Sequence, residues 1–244
     1  MINIKEKERQ FENGGVCHLV LKGIDGRKIF NNIDDYYRFI FSIYEFNNSS
    51  PVSIQKRREA IARFKRGRSK TSTMEDDREK LVEVLAFCFM PNHVHLLVKQ
   101  LDDNGITEFM RKVGTGYANY FNKKYDREGH LFQSKFNSVH IKSDTQFKIV
   151  FAYIHTNPIS LIYSEWKQLR IKTEDVNKIK EFLKEYKWSS YLDYIGIKNF
   201  SSVTDRENLL NLLNNEKGCQ EFIDNWINYK GKNRIEENED LFLE

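Results

Sequence analysis

Two apolar, β-rich runs, Leu81–Phe89 and His93–Lys99, flank the triplet Met90-Pro91-Asn92, and no other feature constrains this chain as strongly. Proline and asparagine between two such runs predict a tight antiparallel hairpin. Side chains alternate across a strand, so His93 and His95 share one face while Val94 points into the core. Two neighbouring imidazoles are half of a site for a divalent metal. A strand pair of histidines also serves structure or faces solvent, so the surrounding residues must decide between these uses.

Those surroundings organise into alternating elements. Val16–Lys22 reads as a first strand, and Asp34 to about Phe46 carries apolar residues at helical spacing. Residues 47–80 are polar and basic, a long connection with one helix expected around Ser53–Phe64. After the hairpin, Phe109, Met110, Val113, Tyr117, Tyr120 and Phe121 repeat with a helical period over Thr107–Lys124. Gln133–Lys142 reads as a fourth strand, with Phe136, Ser138 and His140 on one side and Val139 and Ile141 on the other. Ser143 or Asp144 then caps a helix that ends before Pro158.

The order βαββαβ is that of a ferredoxin-like α+β fold, one antiparallel sheet with helices on a single face and the other face open to hold a site. Past about residue 165 the chain reads as helices, including amphipathic pieces at Asp205–Leu213 and Cys219–Tyr229, with Trp188-Ser189-Ser190-Tyr191 as an aromatic packing knot. The expected division is a domain over 1–165 and a helical extension over 166–244, packed on it.

Charge and cysteine usage narrow the partners. Residues 56–70 hold eight basic side chains against one acidic, while 236–244 hold five acids and no base, a layout that suits a polyanion partner on part of the surface. Cys17, Cys88 and Cys219 are too few and too scattered for a disulfide framework. No apolar stretch is long enough to span a bilayer and the first residues lack a signal-peptide core, so the expectation is a cytoplasmic protein without membrane contact.

Chemistry enters with the helix before Pro158. Tyr153 and Asn157 are four residues apart and share a helical face. If that face abuts the strand histidines, His93, His95 and Asn157 can hold a hydrated divalent ion with positions left for phosphate oxygens, beside the Tyr153 phenol. On spacing alone Tyr117, Tyr120 and Tyr125 compete with Tyr153 for a nucleophile's role, and each is equally a core residue or a stacking platform. A zinc set of Cys88, His93 and His95 is a further alternative, as is an RNA-binding module, which shares the βαββαβ order. The aromatic and glycine motif of the latter is not visible.

The segments Met90-Pro91-Asn92-His93-Val94-His95-Leu96-Leu97, Tyr120–Tyr125, Gly129–Phe136, Tyr153–Pro158 and Trp188–Tyr191, in that order, closely resemble the REP-associated tyrosine transposases, relatives of the single-tyrosine HUH transposases of bacterial insertion sequences. The resemblance implies a transesterase that cleaves and rejoins hairpin-flanked single-stranded DNA through a 5′-phosphotyrosine. It implies Tyr153 as the nucleophile and His93, His95 and Asn157 as ligands of Mg²⁺ or Mn²⁺, with no small-molecule cofactor. Its segments, together with the mixture of cations and flat rings around them, give Arg111, Lys112, Tyr120, Asn122, Lys123, Lys124, Arg127, Gln133, Lys135 and Phe136 as expected DNA contacts. Where the family's Gly-His-Leu segment usually continues to an arginine, this chain has Lys135, which lacks the bidentate fork. Monomers and homodimers are both expected assemblies, and a domesticated, non-catalytic hairpin-binding protein is the alternative function.

Overall fold

The computed structural model describes residues 11–53, 55, 59, 76, 78–133, 135–164, 166 and 173–232. Apart from Glu59, the basic run at 56–70 lies outside the described residues, as does the acidic end at 236–244. Of the helix expected around 53–64, Gln55 and Glu59 are helical and joined by a side-chain hydrogen bond of 3.3 Å.

Four strands form one antiparallel sheet: β1 (Val16–Lys22), β2 (Val82–Met90), β3 (His93–Gln100) and β4 (Asn137–Ile141), in the order β2-β3-β1-β4. Helix α1 (Ile33–Glu45) connects β1 to β2 and α2 (Gly105–Lys124) connects β3 to β4, so the βαββαβ order is met. Asn32 starts α1 with a capping box, accepting from the Asp34 and Asp35 amides while the Asp35 carboxylate accepts from the Asn32 amide. Gly105 opens α2 where a Cβ would stand 2.4 Å from the Leu81 carbonyl oxygen, a place only glycine fits.

Strand alternation sorts the core into two layers. Cys17, Leu19 and Leu21 of β1 and Val94, Leu96 and Val98 of β3 pack against α1 and α2. In β2 the residues on that face are Val82 and Val84 and then Phe87 and Phe89, because a bulge between Val84 and Ala86 inserts one residue and switches the parity.

The expectation of an open second face is overturned. Leu85, Ala86, Cys88, Met90 and Leu97 project there and must be covered, and α3 (Asp144–Thr156) covers them with Val150, Phe151 and Ile154. Four further helices extend that layer: α4 (Val176–Glu185), α5 (Tyr191–Tyr194), α6 (Glu207–Leu212) and α7 (Asn215–Lys232). Cys219, Ile223 and Ile227 of α7 join the same buried cluster. Residues 173–232 thus pack onto the sheet. No helix among the described residues is long and apolar enough to cross a membrane.

Two other expectations are refined. The segment expected as an aromatic knot also bridges the sheet: the Phe89 amide donates to Trp188 O at 2.9 Å and the Ser190 amide to Phe87 O at 3.0 Å, an isolated bridge between Ser189 and Cys88 at the edge of β2. Trp188 still stacks on Tyr36, with ring centroids 4.4 Å apart. The fourth strand begins at Asn137 instead of Gln133, since Phe132 makes only an isolated bridge to Gly23 and Phe136 turns into the core.

Candidate active site

His93 and His95 lie on the second sheet face, as the alternation requires, and α3 carries Tyr153 and Asn157 over them. Ser143 caps the start of α3 by accepting from the Gln146 amide, and Pro158 turns the chain into a 3-10 helix at Asn157–Leu161, which places Asn157 at the end of α3.

The four groups meet within one chain. The Asn157 Nδ2 is 3.1 Å from His95 Nε2, and the Tyr153 ring stands edge-on to that of His95 with centroids 5.5 Å apart. The His93 and His95 rings are 4.8 Å apart and nearly perpendicular. Tyr153, His95 and Asn157 are 3%, 0% and 1% exposed, so polar contacts here act in a water-poor environment. Burial pushes the Tyr153 phenol well above its ordinary range, against which a hydrogen bond from Asn157 works.

The site suits a cation on one specific ground. Asn157 Oδ1 is buried without a hydrogen-bond partner among the described residues, a costly state for an amide oxygen unless something positive meets it. Among the described residues no group of three or more His, Cys, Asp or Glu side chains is placed to share an ion, which leaves the zinc set of Cys88, His93 and His95 ungathered. A shared ion here needs the Asn157 amide.

The competing tyrosines sit in the other layer, on the α1/α2 side of the sheet. Tyr117 donates to Ile29 O at 2.5 Å, while Tyr120 and Tyr125 donate to the Asp35 carboxylate at 3.0 and 2.7 Å. Lys124 also pairs with Asp35 at 2.7 Å. Burial alone would raise the Asp35 carboxyl, but hydrogen bonds from Lys124, Tyr125, the Asn31 amide and Tyr120 outweigh it and hold the group below its ordinary range.

Of the expected DNA contacts, Arg111, Asn122, Gln133, Lys135 and Phe136 line one groove of about 700 Å³ between α2 and residues 129–136. Phe136 contributes from the core, with 6% exposure, so packing is its part here. The others lie outside the groove. Lys112 donates to the carbonyls of Asn48, Ser49 and Ser50, Tyr120 and Lys124 are tied to Asp35, Arg127 bonds Asn122 Oδ1 at 2.7 Å, and Lys123 is exposed. Thr115 and Asn119 also line the groove and were missed. Their signal is a polar stripe at 111, 115, 119 and 122, spaced for one helical face.

Two residues of β1 were missed at the site itself. His18, fully buried, places its Nε2 3.0 Å from His95 Nδ1. Lys22 pairs with His93 in the ladder and so projects on the same face. Its ammonium has no ion pair or hydrogen bond among the described residues, and burial lowers its pKa. The period-two alternation of 18, 20 and 22 was the available signal.

His155 points away from the site. Its Nε2 is 2.8 Å from Ser190 Oγ, which also accepts from the Phe87 amide at 2.9 Å, so this histidine locks α3 to the bridging segment at 188–190. Complete burial pushes its pKa down to about 3. The folded chain therefore keeps His155 neutral, while the unfolded chain takes up a proton below about 6.5. Its contribution to stability is full above that value and is lost as pH falls toward 3. Between pH 6.5 and 4.5 the wild type should lose about 1.4 kcal/mol per pH unit more than His155→Gln in urea unfolding. Parallel pH profiles would count against this assignment.

None of the curated proteins compared with the chain matches it. A solved structure described as a REP-associated tyrosine transposase bound to a REP hairpin aligns with TM-score 0.42 and 16% identity, covering 84% of this chain and 96% of that one. Residues 51–157 match the family profile described as "Transposase IS200 like", a span holding the hairpin histidines, Tyr153 and Asn157. Over that span the chain is similar to the IS200-like transposases.

Proposed function

We propose that the protein is a metal-dependent single-stranded DNA transesterase that cleaves and rejoins hairpin-flanked DNA through Tyr153. The observation that carries this reading is the convergence of one phenol, two strand imidazoles and an amide oxygen that has no hydrogen-bond partner among the described residues. His93, His95 and Asn157 would hold Mg²⁺ or Mn²⁺, which when bound supplies Lewis-acid stabilisation of charge on the phosphate oxygens.

In the cleavage step Tyr153 Oη bonds to the scissile phosphorus and gives up its proton, the bond from phosphorus to the 3′ oxygen breaks, and that oxygen takes a proton to leave as a free 3′ hydroxyl. A second strand's 3′ hydroxyl can then attack the phosphotyrosine and restore the phenol. The phosphodiester bond energy is kept throughout, so no nucleotide cofactor is needed. Burial excludes water that would otherwise hydrolyse the linkage.

Lys22 offers a charge for the non-bridging oxygens on the same face, and Lys22→Ala should slow adduct formation about 10- to 100-fold. An unchanged single-turnover rate would remove it from the reaction. The α2 groove, with Arg111, Asn122, Gln133 and Lys135, is the proposed track for the DNA backbone. Its lining residues Leu21 and Ile24 bring it to the end of β1, on the α1/α2 side of the sheet opposite the face that carries Lys22 and His93.

The test is a hairpin-bearing oligonucleotide labelled 3′ of the cleavage point and incubated with the full chain in Mg²⁺ or Mn²⁺. A denaturant-resistant adduct that disappears on chelation supports the transesterase. Tight hairpin binding with no adduct in either metal would instead make the protein a non-catalytic hairpin binder.

A further inference from the structure

The two strand histidines differ in how they are held. His93 Nδ1 is 2.8 Å from Asn92 Oδ1, an oxygen that can only accept, so Nδ1 carries the proton and Nε2 keeps its lone pair. The Nδ1 of His95 faces another imidazole, the Nε2 of His18, 3.0 Å away, with the two rings 20° from parallel and centroids 5.2 Å apart.

We propose that His18 is the positioning residue for His95, accepting the His95 Nδ1 proton at its own Nε2 and so aiming the His95 Nε2 lone pair at the Asn157 end of the site. The inference rests on the metal-dependent reading above. His18 lies on β1, before the span that matches the transposase family, and nothing in the hairpin motif announces it.

The chemistry follows from the limits of a neutral imidazole. One ring nitrogen donates and the other accepts, and a partner at the first decides which nitrogen can serve as a ligand. Asn157 Nδ2, 3.1 Å from His95 Nε2, is a donor and needs a lone pair there. That assigns the His95 proton to Nδ1, makes His18 Nε2 the acceptor and leaves the His18 proton on its Nδ1. Both rings are fully buried, so water cannot substitute for His18. His18 also meets the Tyr153 ring edge-on at 6.0 Å, and one side chain thereby touches both the metal ligand and the nucleophile.

The experiment measures Mn²⁺ affinity of the full chain, from free-Mn²⁺ electron paramagnetic resonance, for wild type, His18→Phe and His18→Gln. A His18→Phe protein with native near-ultraviolet circular dichroism should bind Mn²⁺ about 10- to 100-fold more weakly, and His18→Gln, whose amide oxygen can accept the same proton, should recover part of the loss. Equal affinity in His18→Phe and wild type overturns the proposal, as does an equal loss in both variants, which would mark a packing role. Wild type that binds no Mn²⁺ overturns the metal-dependent reading itself. Independently of any variant, ¹⁵N shifts of the metal-free wild type should show His95 protonated at Nδ1 and bare at Nε2. The opposite tautomer sinks the assignment even if the variants fail to fold.

Discussion

Tyr153→Phe should abolish the covalent DNA adduct, lowering it at least about 1000-fold, while leaving a folded protein that still binds hairpin DNA. A phenyl ring fills the same space against His18 and His95 but carries no oxygen to bond phosphorus. The lost hydrogen bond with Asn157 costs stability of only about 1 kcal/mol, so unfolding does not confuse the result. Tyr117→Phe, Tyr120→Phe and Tyr125→Phe are the controls, since those hydroxyls are engaged by Ile29 O or Asp35 on the far side of the sheet. An adduct that survives in Tyr153→Phe and vanishes in one of the controls would move the nucleophile to the other layer. Because burial raises the Tyr153 phenol, the wild-type adduct rate should also climb with pH and not level off below the ordinary phenol value of about 10.

The largest effect on stability is expected for Asp35→Ala, about 3–5 kcal/mol in urea unfolding. Its carboxylate is fully buried and serves several donors: the Asn31 and Asn32 amides at the head of α1, and Tyr120, Lys124 and Tyr125 from α2. Truncation strands those donors and cuts the capping box and the link between the two helices at once. Asp35 titrates below its ordinary range in the fold, so its contribution is present above about pH 4 and is lost as pH falls through the folded value. A loss under 1 kcal/mol would show that the network is a surface decoration.

Much of this was legible from alternation and helical spacing. The hairpin, helices α1, α2 and α3 and the βαββαβ order of elements follow from period-two and period-3.6 patterns in segments where local preference and burial agree. The parity switch at the β2 bulge was not legible, because an inserted residue in a fully apolar run such as Val82–Met90 leaves no mark in the pattern. The cover over the second face was missed for a related reason. Period two puts Cys88 with Met90 and Leu97 with His95 on one face, but does not show which distant helix meets them. His93, His95, Tyr153 and Asn157 stood out by spacing and resemblance, whereas His18 is a lone histidine on a buried strand, and only the three-dimensional pairing of β1 with β3 gives it a partner.

The bridge that residues 188–190 make to β2 has a consequence for handling this protein. A chain cut before it would leave the backbone donors and acceptors of β2 bare along a rim rich in phenylalanine, including Phe87 and Phe89. Such a shortened version should self-associate edge to edge, so the tail helps keep each copy separate as well as seating α3 through His155.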